Sequence, residues 1–128
     1  MTYAERTDVP VGRSKAAIED LVKRHGAEAF GTFEQAGAVK IFFSLNGRNI
    51  LFQMPVPDDA QKERSIWRAM LLTIKGKLES AARGIETIEE AFMANVVMKD
   101  GRTVAEHALP AIEAHYSGDT QVPLLPSS

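Results

Sequence analysis

The sequence predicts a single α+β domain in which a three-stranded antiparallel meander follows a first helix and precedes a long amphipathic one. The 128 residues match the usual size of one hydrophobic core, and the 45% hydrophobic and 25% charged fractions are those of a globular protein. Apolar residues recur at every second position in one continuous stretch, as in strands, and at helical spacing on either side of it. Strands grouped before helices favour α+β over a parallel α/β sheet.

The N-terminal region predicts an arm followed by a helix. Residues 1–12 contain Pro10 and Gly12 and little apolar periodicity, so we expect an arm there and the α+β domain over residues 13–118. Ser14 is the expected cap of the first helix. The apolar stripe of that helix consists of Ala17, Ile18, Leu21 and Val22.

The meander is expected between Ala27 and Met54. Asn46-Gly47 lies between two apolar runs, and both residue types accept the positive φ angles of a two-residue type I′ turn. Pro55 and Pro57 are expected to stop the last strand, since proline has no backbone amide to donate to the ladder.

The face of the sheet opposite the core also carries apolar residues, which bears on whether the protein forms oligomers. Phe42 and Leu51 alternate with the residues that face the core, so they fall on the opposite face. That face is then either partly covered or a contact between copies of the chain, which makes a homo-oligomer one expectation.

The longest predicted helix spans residues 60–82. Asp58 or Asp59 supplies its N-cap, and Arg83-Gly84 ends it. Its apolar residues gather in one sector, which predicts that the helix lies on the sheet. The sector comprises Ile66, Trp67, Met70, Leu71, Ile74, Leu78 and Ala81. We interpret Trp67 as a core residue, with a platform for base stacking as the alternative.

Two Thr-x-x-Glu capping boxes predict two further helices. Thr87 with Glu90 opens a short one, and Thr103 with Glu106 opens the last, which ends near Gly118.

Two features mark the C-terminal region. Pro110 lies inside the last predicted helix, where we expect a kink or break around Leu109. The tail, residues 119–128, carries the apolar Leu124 and Leu125, and we expect it to dock on the domain.

Composition excludes several classes of function. The sequence has no cysteine, which rules out disulfides, thiol catalysis and cysteine-bound metal. Its apolar runs are far shorter than a membrane span and its N-terminus is polar, so we expect a cytoplasmic protein without membrane contact. The net charge of −2 gives no overall attraction to nucleic acid.

No catalytic constellation can be named. Nucleotide-binding glycine loops and the Gly-x-Ser-x-Gly pattern are missing. His25, His107 and His115 show no helical metal-site spacing. The expectation is a protein that is not an enzyme and uses no metal or cofactor.

The sharpest candidate site is a basic stripe formed by Arg64, Arg68 and Lys75, which lie within about 40° of one another on the long helix. Residues 62–83 hold six basic and two acidic side chains, a net charge of +4, against −2 for the whole chain. The stripe is either a solvated helix face or a surface that contacts phosphates or an acidic partner protein. Arg48 and Arg102 are candidates for a different role, in which an oligomer sequesters a small anionic nucleotide between arginines.

Several motifs carry a resemblance to a known family. They are YAERTDVPVGRS, IFFSLNGRNILFQMPVP, ERSIWRAMLLTIKGKLESAARGIETIEEAFMANVVMKDGRTVAEHALP, IEAHY and PLLP. With these motifs the chain resembles an uncharacterised family of small phage and prophage proteins with no assigned activity. It departs from that family between Pro57 and Glu63, where other members carry a longer insertion.

The resemblance and the lack of a catalytic constellation together give the leading hypothesis. It is a non-catalytic phage accessory protein that binds and inhibits a host or defence protein. The alternatives are a nucleic-acid-binding protein of phage replication or recombination, and the nucleotide-sequestering oligomer.

Overall fold

The computed structural model describes residues 8–126 and has the predicted α+β architecture. Three strands form one antiparallel sheet in the order β1-β2-β3. The elements are α1 (Val11–Arg24), β1 (Ala29–Gln35), β2 (Ala38–Leu45), β3 (Arg48–Pro55), α2 (Ala60–Ala82), α3 (Ile88–Ala91), a 3₁₀ turn (Met93–Asn95) and α4 (Val104–Tyr116). Among residues 8–126, none of the helices combines the length and apolar character needed to cross a bilayer.

The β2–β3 hairpin has the predicted turn. Asn46 and Gly47 adopt φ angles of 53° and 73°, as a type I′ turn requires. The turn fixes a register in which Phe43 of β2 lies opposite both Phe30 of β1 and Ile50 of β3. Side chains on this face are therefore aligned across all three strands.

The core lies between that face and the two long helices. Trp67 of α2 is 1% exposed, which confirms its interpretation as a core residue and leaves no ring face for a base. Phe92, just after α3, packs edge-on against Phe43 and Phe52, with ring centroids 5.7 and 6.1 Å away. The buried residues of α1 and α2 are Ser14, Ile18, Leu21, Val22, Trp67, Leu71, Ile74 and Leu78.

The start of α1 differs from the prediction. The helix begins at Val11, and the carbonyl of Pro10 accepts the amides of Arg13 and Ser14 at 3.1 and 3.2 Å. Ser14 is buried within the helix, where its hydroxyl has no hydrogen-bond partner, so its prediction as the N-cap is wrong. The physical reason is that Pro10 already has the extended conformation of an N-cap residue, which lets the helix start earlier. Of the predicted arm, residues 1–7 lie outside the described residues, and 11–12 belong to α1.

The other helix starts follow the predicted chemistry. Asp59 caps α2 by accepting the amide of Lys62 at 2.9 Å. Both capping boxes are present at the starts of α3 and α4. Between these two helices the chain runs along β3, where the amide of Val97 donates to the carbonyl of Asn49 at 2.8 Å.

Helix α4 continues past its internal proline. It is unbroken from Val104 to Tyr116, so of the kink or break expected around Leu109, the break does not occur. Pro110 has no backbone amide to donate to the carbonyl of Glu106, four residues earlier. That carbonyl instead accepts a hydrogen bond from Nη2 of Arg102 at 3.2 Å. Beyond the helix, Nε2 of His115 lies 2.6 Å from the carbonyl oxygen of Val122 and ties the first part of the tail back to α4.

Candidate binding groove

A groove between α1 and α2 combines an apolar floor with a basic rim, and we call it the basic groove. It has a volume of about 200 Å³. Among residues 8–126, no carboxylate lines it. The lining residues are Ala17, Leu21 and Arg24 of α1 and Arg68, Leu71, Leu72 and Lys75 of α2.

Helical spacing explains why these residues share one groove. On α1, Ala17, Leu21 and Arg24 follow one another at intervals of four and three residues, so they lie along one face. On α2, Arg68 and Lys75 are two turns apart and flank the buried Leu71. The two faces meet because the apolar stripes of both helices pack on the same side of the sheet.

The cations on the rim are held in different ways. Nε of Arg24 donates to the carbonyl of Asp20 at 3.4 Å, at the C-terminal end of α1, where a positive charge is favoured by the helix dipole. Lys75 is exposed and forms no ion pair with any of residues 8–126. Arg68 interacts with another group of the protein. Arg24 and Lys75 therefore bring positive charge to the groove, and the lining residues within 8–126 add no carboxylate.

The predicted basic stripe is divided by the structure. Arg68 and Lys75 line the basic groove, whereas Arg64 does not. The guanidinium of Arg64 is half-buried, and its Nη2 donates to Oε1 of Gln61 at 2.6 Å while its Nε is buried without a hydrogen-bond partner. Arg64 thus belongs to the packing at the start of α2.

Arg48 and Arg102 are each engaged with a carboxylate. Nη2 of Arg48 lies 3.2 Å from Oε2 of Glu89, and Nε of Arg102 lies 3.6 Å from Oε2 of Glu106. An anion bound between these arginines has to compete with both ion pairs. Arg102 also has the structural role next to Pro110 described above.

The carboxylates with shifted pKa values serve helix starts and turns. The backbone amide of Lys62 lowers the pKa of Asp59, and that of Thr103 lowers the pKa of Glu106. The neighbouring ring of His107, followed by the amide of Arg102, lowers the pKa of Asp100. Nε2 of His107 lies 2.8 Å from Oδ2 of Asp100.

These shifts keep the three carboxylates ionised, which suits capping and pairing rather than proton transfer. Within residues 8–126, His, Asp and Glu side chains do not gather in groups of three that could hold a metal ion.

Arg24 is the charged groove residue that sequence analysis did not identify, and Leu72 is an apolar one. The position of Arg24 one turn after Leu21 places it on the apolar face of α1, and this spacing is visible in the sequence. The sequence does not show which helix that face meets. Only the packing of α1 against α2 brings Arg24 to the groove that Lys75 lines.

Comparison with known proteins identified no relative of this chain. No protein-family model, curated protein or solved structure matches the chain. The resemblance to small phage proteins therefore stays a prediction from the sequence motifs.

Proposed function

We propose that this protein is a phage-type accessory protein that acts by binding, without catalysis, and inhibits a host or defence protein in the host cytoplasm. In this proposal the basic groove receives an acidic segment of the partner. The observation that carries it is the combination of Arg24, Arg68 and Lys75 above an apolar floor. Such a rim attracts carboxylates, while the floor accepts an apolar side chain beside them.

The apolar lining of the groove favours a protein segment over nucleic acid as its ligand. The half-buried Leu72, together with the small exposed edges of Leu21 and Leu71, gives the groove apolar surface that a phosphate backbone does not use, and the buried Trp67 cannot stack on a base. The net charge of −2 also weakens non-specific attraction to polyanions. Nucleic acid is therefore the competing outcome of the experiment below.

The resemblance to phage proteins supplies the kind of partner. A small phage protein without catalytic groups has to act stoichiometrically, which suits inhibition by occupying a surface. A groove of about 200 Å³ accommodates one or two side chains, so it serves as the anchor of a larger contact.

Capture from host lysate with a charge-reversed variant tests the proposal. Arg24→Glu combined with Lys75→Glu turns the rim acidic and leaves the core intact, since both side chains lie on the surface. We expect the partner bound by the unmodified protein to be reduced about tenfold or more, which quantitative mass spectrometry measures. Lys62→Glu combined with Lys99→Glu makes the same change in net charge outside the groove and should retain the partner.

A single-stranded oligonucleotide, titrated at low and moderate salt, distinguishes the competing function. Binding that falls steeply with salt and is abolished by the groove variant would replace the protein partner with nucleic acid. Equal capture by the groove variant and its control would remove the groove from the function altogether.

A further inference from the structure

Helix α4 is poorly covered by the rest of the protein. Ala111 is the one buried residue in its thirteen, and its main contact is the 3₁₀ turn at Met93–Asn95. A helix of this length is marginal in water unless packing stabilises an apolar face. Its caps and the Arg102 hydrogen bond hold its first turns, but its apolar face still lies open.

The open face is a ridge of large apolar side chains. Leu109, Ile112 and Tyr116 follow one another at helical spacing and are 62%, 40% and 89% exposed. Met93, 55% exposed, lines the same groove as Leu109 and Ile112. We call these four residues the α4 ridge.

A groove floored by small residues runs beside the ridge. It has a volume of about 380 Å³ and lies between α4 and the segment that joins α2 to the 3₁₀ turn. Lys77, Glu86 and Glu90 contribute charged groups of both signs to its lining. Its alanines are Ala91, Ala94, Ala105 and Ala108.

We infer that the α4 ridge and this groove form the interface of a homodimer, in which the ridge of one copy occupies the groove of the other. A two-fold interface uses the same patch on both subunits, so the patch must contain both a protrusion and a matching recess. This patch contains both.

The exposed area is sufficient for such a dimer. At roughly 200 Å² for a side chain of this size, the four ridge residues expose on the order of 500 Å², in the upper range for a single patch on a monomer. Pairing two copies buries on the order of 1,000 Å² before the polar rim is counted, which is the area that a specific interface needs.

The open face of the sheet is the other candidate for a dimer interface, and it is less suited to that role than the α4 ridge. Phe33 is exposed there, but Phe42 and Leu51 are already half-buried. Lys40 and Gln53 lie beside Phe33 in the same row across the strands and interrupt the apolar surface. An unpaired lysine in the centre of an interface opposes burial of that face.

The dimer leaves the basic groove accessible. Lys75 of the basic groove and Lys77 of the α4 groove are separated by about 200° around α2, so the two grooves lie on opposite flanks of this helix. The inference therefore stands independently of the proposed function.

Sedimentation equilibrium of the full chain tests the dimer. We expect a monomer–dimer equilibrium whose dissociation constant rises at least tenfold when Leu109→Glu and Ile112→Glu are combined. Both side chains are exposed, so the variant should keep its circular dichroism spectrum. Phe33→Glu, an equally exposed change on the sheet, should leave the equilibrium unchanged. A monomer at every concentration, or a dimer sensitive only to Phe33→Glu, would overturn the inference.

Disulfide trapping provides a test that does not depend on a disruptive variant. The chain has no cysteine, so Ile112→Cys creates a single thiol in the middle of the ridge. Oxidation of an equal mixture of this variant with Ala94→Cys, whose thiol lies in the groove, should yield a covalent dimer of the two variants. Thr73→Cys, an exposed position on α2 outside both grooves, should form no covalent dimer with Ala94→Cys under the same conditions. Equal cross-linking of Ile112→Cys and Thr73→Cys to Ala94→Cys would indicate random collision and contradict the interface.

Discussion

The guanidinium of Arg102 hydrogen-bonds the carbonyl oxygen that Pro110 leaves without a helical amide. This carbonyl belongs to Glu106, and the distance from Nη2 of Arg102 is 3.2 Å. Arg102, Glu106 and Pro110 lie at intervals of four residues, so one turn separates each from the next. The arrangement explains how α4 continues through a residue that ordinarily breaks a helix.

A double-mutant cycle tests this compensation. Pro110→Ala restores the amide and should raise the free energy of unfolding by up to about 3 kcal/mol, less the part that the Arg102 hydrogen bond already offsets. Arg102→Met should then cost less in the Pro110→Ala protein than in the unmodified one, because the carbonyl no longer needs the guanidinium. Urea denaturation at a fixed protein concentration measures all four proteins. Equal costs of Arg102→Met in both backgrounds would show that the two residues are not coupled.

Lys77 joins α2 to α3 from a partly buried position. Its Nζ donates to the carbonyl of Ala91 at 2.8 Å and lies 6.0 Å from the centre of the Phe92 ring. Lys77→Met keeps the aliphatic stem and removes the charged donor, so we expect a loss of about 1–2 kcal/mol in the free energy of unfolding.

Lys75→Met is the matched control for Lys77→Met because Lys75 is exposed on the opposite flank of α2. Lys75→Met should change the free energy of unfolding, measured by chemical denaturation, by no more than about 0.5 kcal/mol. If the two substitutions have the same effect, the link between Lys77 and Ala91 does not stabilise the fold.

Phe92 fills the aromatic centre of the core. It is fully buried and contacts the rings of Phe43 and Phe52 edge-on. Phe92→Ala should lower the free energy of unfolding by about 3–5 kcal/mol, since it removes these contacts and leaves a cavity. Phe33→Ala, on the open face of the sheet, should change it by no more than about 0.5 kcal/mol. Thermal denaturation of the two variants at neutral pH measures the difference.

Asp59 gives the protein a defined response to acid. The amide of Lys62 lowers the pKa of Asp59 from its ordinary value of 3.8. A carboxylate with a lowered folded-state pKa contributes stability above its unfolded pKa and loses that contribution as the pH falls through the folded value. The contribution should be constant at neutral pH, begin to fall near the unfolded pKa of about 4, and be lost once the pH is below the lowered folded pKa.

Asp59→Asn isolates the charge, because asparagine also caps a helix but does not titrate. The melting temperature of the variant should lie below that of the unmodified protein at pH 7, and the gap should close towards pH 3. A gap that is the same at both pH values would contradict the proposed role of the ionised cap.

Local chemistry made part of this structure predictable. The bounds of α2 and both capping boxes follow from neighbouring residues, and so does the Asn46-Gly47 turn. The start of α1 was missed because Ser14 resembles a cap, whereas Pro10 provides the helix start.

The candidate site was predictable only in part. Arg68 and Lys75 could be identified from their spacing on α2, but Arg24 joins them through tertiary packing, which periodicity does not encode. The hydrogen bond from Arg102 to the carbonyl of Glu106 is local and could have been inferred from the sequence. Pro110 lacks the amide that would bond the carbonyl of Glu106, and Arg102 lies one turn before Glu106.

The most direct test of the basic groove is a double-mutant cycle across its interface with the captured partner. Titration calorimetry would compare Lys75→Glu, reversal of a carboxylate of the partner to lysine, and the two changes together. Each single change should weaken binding, and the combination should restore it, with a coupling energy of about 1 kcal/mol or more. Additive losses would show that Lys75 does not meet that carboxylate, and an unchanged dissociation constant for every reversal at the groove would contradict the proposed function.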